Sequence, residues 1–219
     1  MEGYITLLAF VIGIPLIYYG GMQWYKPCFE QKCNKERKIL ATWQEYLMLI
    51  LSEAALIRIW YVLGKASIFD MQFVLLYVIL VAMSILCMTD YWETVVPNSI
   101  LLILLMLFII VVGLHAVRDM SVFYMALPSI ILGFLFCALT FGLGYVISKG
   151  SMGAGDVKLS LIMGLYLTGE YVVATIVYGC LLSAVYSVVQ LVRKRLNRKD
   201  EIPFVPFLYI GLIIKYFVG

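Results

Sequence analysis

The sequence predicts an all-α polytopic membrane protein, a bundle of about eight hydrophobic helices of which six to eight are transmembrane. Three observations carry that expectation. Hydrophobic residues fill 64% of the 219 positions and charged residues only 13%; mean hydropathy is +1.01; and the apolar residues come in long runs parted by short polar stretches. A soluble domain of this length could not hide so much apolar surface, so lipid has to serve as its solvent.

A helix needs ~20 mainly apolar residues to cross a hydrocarbon core ~30 Å thick. That ruler marks residues 4–24, 43–63, 71–89, 98–114, 121–147, 157–167, 171–192 and 203–218. The first run lacks a basic leader and a small-residue cleavage site, and reads as a retained helix rather than a cleaved signal. The second carries Glu53 and Arg58, whose separation keeps them off a common helix face, so Glu53 needs a partner elsewhere or a proton. The third stops at Asp90 and the fourth starts after Pro97. The sixth is too short for a comfortable crossing and suits a partial helix inside the bundle. The seventh ends on a basic cluster, and the eighth begins at Pro203. No long linker and no internal repeat divides the chain, so residues 1–219 read as a single membrane domain, with 1–40 its first helix and a short basic loop.

Lys and Arg set the expected orientation. Lys26, Lys32, Lys35, Arg37 and Lys38 follow the first run, Lys149 and Lys158 bracket a glycine-rich turn, and Arg193, Lys194, Arg195, Arg198 and Lys199 follow the seventh. With alternating spans these share one side, leaving Lys65, Arg118, Lys215 and Arg58 for the other. The positive-inside rule then puts the termini outside and the basic loops in the cytoplasm of a multi-pass cell (inner) membrane protein. A net charge of +3 gathered into short loops is no nucleic-acid footprint. Tyr18, Tyr19, Trp24, Tyr25, Trp60, Tyr61, Tyr91, Trp92 and Tyr171 fall near span ends, as an interfacial aromatic belt would.

Cys28 and Cys33 form one pair in the first loop, while Cys87, Cys137 and Cys180 lie singly in apolar runs. One pair without a nearby histidine falls short of a zinc site, so no metal is expected. His115 is the only histidine and falls on the predicted outer side, which weighs against serine or cysteine hydrolase chemistry.

Two carboxylates remain. Asp156 closes the turn Gly153-Ala154-Gly155-Asp156 ahead of Val157-Lys158-Leu159, and Asp90 opens the stretch that runs through Glu93 to Pro97-Asn98. Both fall on the predicted cytoplasmic side. An ionisable residue near membrane depth is costly and points to function. Two close aspartates share a proton, so that one serves as base toward water while the other donates to a carbonyl. Glycines at 153 and 155 would permit unusual backbone angles and close approach of a peptide. The plainer reading, in which the glycines only turn the chain and Asp156 caps a helix starting at Val157, fits the turn equally well. Lys158 reads as an anchor or a neighbour that biases Asp156, Glu93 as loop solvation.

These residues carry a resemblance. GAGD followed by VKL resembles the second active-site motif of the type IV prepilin peptidases, the GxGD membrane aspartic proteases. Asp90 through Val96-Pro97-Asn98 resembles their first, with Val96 in place of an isoleucine, and Ile202-Pro203-Phe204-Val205-Pro206-Phe207-Leu208 resembles their final helix. The likeness runs from about residue 40 to the end. It implies an aspartic endopeptidase, with Asp90 and Asp156 catalytic and Gly153, Gly155, Lys158, Pro97 and Asn98 shaping the site or binding substrate, and no cofactor. The implied partners are type IV pilin-like precursors, whose short basic leader is removed at the cytoplasmic membrane face. Long members of the family carry two CxxC pairs linked to methyl transfer; the first loop here offers only Cys28 and Cys33, so the resemblance is to compact, peptidase-only members and does not extend to methyl transfer. Two alternatives are a small ion-coupled transporter using Asp90, Asp156 and Glu53 as a relay, and a presenilin-like protease, which pairs GxGD with Tyr-Asp where this chain has Asp90-Tyr91.

Overall fold

The structure, a computed structural model, describes residues 11–20, 40–62, 71–147, 152–167, 169–194 and 202–218. Among these the chain is helical, with no strand. The helices are α1 (Val11–Gly20), α2 (Leu40–Val62), α3 (Met71–Glu93), α4 (Asn98–Arg118), α5 (Met120–Ile147), α6 (Ala154–Tyr166), α7 (Gly169–Val192) and α8 (Val205–Val218). Four of them, α3, α4, α5 and α7, are long and apolar enough to cross a membrane. The chain is an all-α, multi-pass membrane protein.

Helix α3 is the axis of the bundle. It packs against α2, α4, α6 and α8, while α5 runs along α6 and α7 along α8. The most apolar stretch of α3 is 83% buried, against 22% for α4, 17% for α5 and 22% for α7, so the latter three are largely turned toward lipid. Lipid tails are as apolar as leucine, so helix association here rests on close packing and hydrogen bonds. The α7–α8 crossing shows the first: a methyl group added at Gly211 would meet the Thr175 carbonyl oxygen at 2.5 Å and the Gly179 nitrogen at 2.8 Å. Buried hydroxyls supply the second. Tyr166 donates to the Leu104 carbonyl at 2.6 Å, tying α6 to α4. Tyr209 donates to the Met48 carbonyl at 2.9 Å and meets Ser52 Oγ at 2.6 Å, tying α8 to α2.

Several boundaries differ from expectation. α3 continues past residue 89 to Glu93, so Asp90 lies within a helix rather than in a loop. It stops at Thr94, which takes a left-handed φ of 53°, a conformation disfavoured for a β-branched residue. α6 has 13 residues with Leu159, Ser160, Ile162, Met163, Gly164 and Tyr166 buried, the short internal helix that its length suggested. α8 begins at Val205, not at Pro203, and its 14 residues rise about 21 Å, less than a hydrocarbon core. Pro206 is accommodated there because its missing N–H would lack an intrahelical partner in the first turn anyway.

The aromatic belt is only partly realised. Tyr19, Tyr61 and Tyr91 are exposed, but Tyr18 and Trp60 are buried in the bundle. Tyr171 is half-buried and its ring lies 5.6 Å from that of Tyr216. A tyrosine near a span end can face lipid or neighbouring helices, and helix rotation decides which. Trp24, Tyr25, Cys28, Cys33 and the loop lysines before α2 lie outside the described residues, as does the Trp92 side chain.

Candidate active site

One end of the bundle gathers four helix termini: the C-terminal turn of α3 and the N-termini of α4, α6 and α8. Each expected site residue belongs to one of them. Asp90 projects from α3 and is 4% exposed. Pro97 is the N-cap of α4 and Asn98 its first residue. Gly153 is the N-cap of α6, and Asp156 stands in its first turn.

The two motifs touch. A methyl group at Gly155 would lie 3.0 Å from Val96 Cβ, so the glycine lets the α6 turn seat against the loop that follows Asp90. Lys158 Nζ donates to Asn98 Oδ1 at 3.0 Å across the same junction, at an exposed edge. The Asp156 carboxylate folds back over Gly153, where a methyl group would be 3.2 Å from Oδ2. These glycines therefore serve by absence of bulk. The expected unusual backbone angles are not found: Gly153 has an ordinary extended φ of −61° and ψ of 129°. The capping reading is corrected too, because the helix starts at Ala154 and Gly153, not Asp156, is its N-cap.

Burial pushes the Asp156 carboxyl up to about 6, and the charge of nearby Asp90 adds to the rise. Burial disfavours the charged form, and a like charge does the same. The two carboxyls thus feel each other, although they reach the site from helices 66 residues apart by subtraction of their numbers.

The third contributor was not singled out from sequence. The Val205 N–H donates to Asp90 Oδ2 at 2.8 Å, and the Phe204 amide faces the same carboxylate. Backbone amides leave no mark in a sequence; the apolar run from Pro203 showed that a helix starts there, but not that its first amides meet Asp90.

Remote from this end are His115, Arg118 and Lys215. His115 bonds through Nδ1 to the Val111 carbonyl at 2.8 Å, 17 residues beyond Asn98 by subtraction and so about 25 Å along α4. Lys215 lies 3.7 Å from Glu170 at the α7–α8 end, and Arg58 donates to the Tyr216 carbonyl at 3.4 Å. A cavity of about 730 Å³ beside His115, Arg118 and Tyr166 is lined by neither Asp90 nor Asp156. Glu53 makes no hydrogen bond or ion pair to a described residue. No cluster of three metal-ligating side chains occurs among the described residues, and Cys87, Cys137 and Cys180 are free thiols.

Comparison with known proteins bears on this end of the bundle. The type IV leader peptidase family matches residues 77–188, which include Asp90, Pro97, Asn98 and the whole GAGD turn. A prepilin leader peptidase/N-methyltransferase from Bacillus subtilis (strain 168) is 27% identical over 135 residues, covering 62% of this chain and 52% of that protein. The chain thus spans about half the length of the curated relative it matches. No solved structure matches it.

Proposed function

The chain belongs to the type IV leader peptidase family, and from that premise we propose that it is a membrane-embedded aspartic endopeptidase that removes the short basic leader of type IV prepilin-like precursors. The supporting observation is the approach of Asp90 and Asp156, carried on two segments that interlock through Gly155 and Val96. One carboxylate takes a proton from water as its oxygen attacks the scissile carbonyl; the other carboxyl donates its proton to the carbonyl oxygen. Collapse of the resulting diol breaks the C–N bond and returns a proton to the leaving amine. Gly153 and Gly155 leave room for Asp156 and for close backbone approach, while Pro97, Asn98 and Lys158 shape the rim. The reaction calls for no cofactor.

The substrate's apolar stem packs against lipid-facing helices while its leader reaches the aspartate end, which on the distribution of basic residues faces the cytoplasm. Methyl transfer is not part of the proposal. A transporter reading finds less support, because both aspartates stand at helix termini of one end rather than at mid-membrane.

Co-expression with a precursor bearing a basic leader, a glycine and an apolar stem tests the reading on a gel. Wild type should release the leader, while Asp90→Asn and Asp156→Asn, still inserted in the membrane, should not. Cleavage retained in either variant rules out the pair.

A further inference from the structure

Asp90 is met by α8 with backbone rather than side chains. The Val205 N–H belongs to the first helical turn, where no carbonyl of the helix itself is available to accept it. It donates instead to Asp90 Oδ2, at 2.8 Å. Val205 is 0% exposed and Asp90 4%, so bulk water is not on hand to replace this donor. A carboxyl oxygen that accepts an amide N–H is the poorer place for a proton, which favours Oδ1 as the oxygen to carry it.

The helix that aims this N–H is pinned on two sides. One turn beyond Val205, the Tyr209 hydroxyl lies 2.9 Å from the Met48 carbonyl and 2.6 Å from Ser52 Oγ, which is itself 2.9 Å from that carbonyl, so two hydroxyl protons are shared among three contacts. On another face, Gly211 lies in backbone contact with α7. Such anchoring lets backbone amides fix a carboxylate where no side chain does so.

We propose that the Val205 N–H is a positioning group for the leader peptidase reaction: it holds Asp90 Oδ2 against α8 and leaves Oδ1 to work with Asp156 on water and substrate. This rests on the reading of Asp90 and Asp156 as the catalytic pair. Among described residues, the ionisable groups that the Asp90 charge reaches are Asp156 on α6 and Cys87 one turn back on α3; α8 faces it with the amides of Phe204 and Val205.

Val205→Pro tests the donor. Proline is accepted at the first position of a helix, where its missing N–H and fixed φ cost the helix little, and Phe204 stands before the helix, where a residue preceding proline belongs. Val205→Ala keeps the donor and loses the methyl groups. Purified in detergent and assayed on the precursor, Val205→Pro should lose about tenfold to hundredfold in kcat with KM within about twofold. Its alkaline pH limb should move upward, since losing a donor to the ionised pair makes the pair easier to protonate. Val205→Ala should keep kcat within about threefold and the limb unmoved. If Val205→Pro does not fold, a backbone ester at 205, introduced as the α-hydroxy analogue of valine, deletes the same N–H with the side chain intact and should give the same result. Equal losses in Val205→Pro and Val205→Ala overturn the proposal, as does a donor-deleted protein with wild-type kcat, or one whose kcat falls with an unshifted limb. A wild-type protein that cuts no precursor refutes the peptidase reading instead, so the two failures are distinct.

Discussion

Asp156 shows how one residue can be suited to two protonation states. Its place in the first turn of α6 favours negative charge, yet burial and then the neighbouring Asp90 outweigh this and raise its carboxyl to about 6. A pair that must keep one shared proton loses it as pH rises through that value. Cleavage should therefore decline along an alkaline limb centred near pH 6, read from initial rates across pH 4.5–8. Stability should move the same way. A carboxyl raised in the folded state above its ordinary 3.8 contributes stability that is complete below that value and is lost as pH rises through the folded one. The thermal midpoint in detergent should fall between about pH 4 and pH 6 in wild type, and Asp156→Asn should remove most of that slope. A flat wild-type profile would mean that Asp156 is not perturbed.

Helix ends, more than helix middles, build the site. α3 delivers Asp90 in its last turn, α6 delivers Asp156 in its first, and α8 delivers an amide from its first. The depth at which α8 sits is set by its contact with α7, where no side chain separates Gly211 from Thr175 and Gly179. Because the atoms met there are backbone, neither helix can yield locally. Gly211→Ala should destabilise the protein by about 1–3 kcal/mol and weaken cleavage through displacement of α8, whereas alanine at Gly113, where an added methyl meets nothing within 4 Å, should be close to neutral. Thermal unfolding in detergent compares the two variants directly, and equal midpoints would show that the crossing tolerates separation.

At the scale of the molecule, several of the described ionisable groups gather at one end of the bundle or the other. Asp90, Asp156, Lys158 and the close of α7 with Arg193 and Lys194 lie at one, His115, Arg118 and Lys215 at the other. If the positive-inside rule sets the orientation, a membrane-impermeant maleimide applied to intact cells should label Ser121→Cys, at the exposed start of α5, and spare Lys194→Cys, in a background without the native thiols. The reverse pattern would turn the molecule over and move the site to the outside. The central place of α3, enclosed on most of its surface, makes it the helix least able to accept polar substitution.

Composition and run length were enough to read the fold class and the approximate helices, because a bilayer imposes a length and demands that backbone polar groups be satisfied within each span. Asp90 and Asp156 stood out for the same reason: charge is conspicuous in an apolar chain. Helix rotation was not legible, since a run apolar on all sides carries no facial signal; hence Tyr18 and Trp60, expected at an interface, are buried. Nor could the role of the glycines be read, because a missing side chain matters only against what approaches it, as Val96 approaches Gly155. The sequence by itself determined the solvent, the helices and the two carboxylates. Only tertiary packing decided that a loop after α3 would seat on the α6 turn and that an amide of α8 would take Asp90 Oδ2, since both depend on distances between segments that the chain order keeps far apart.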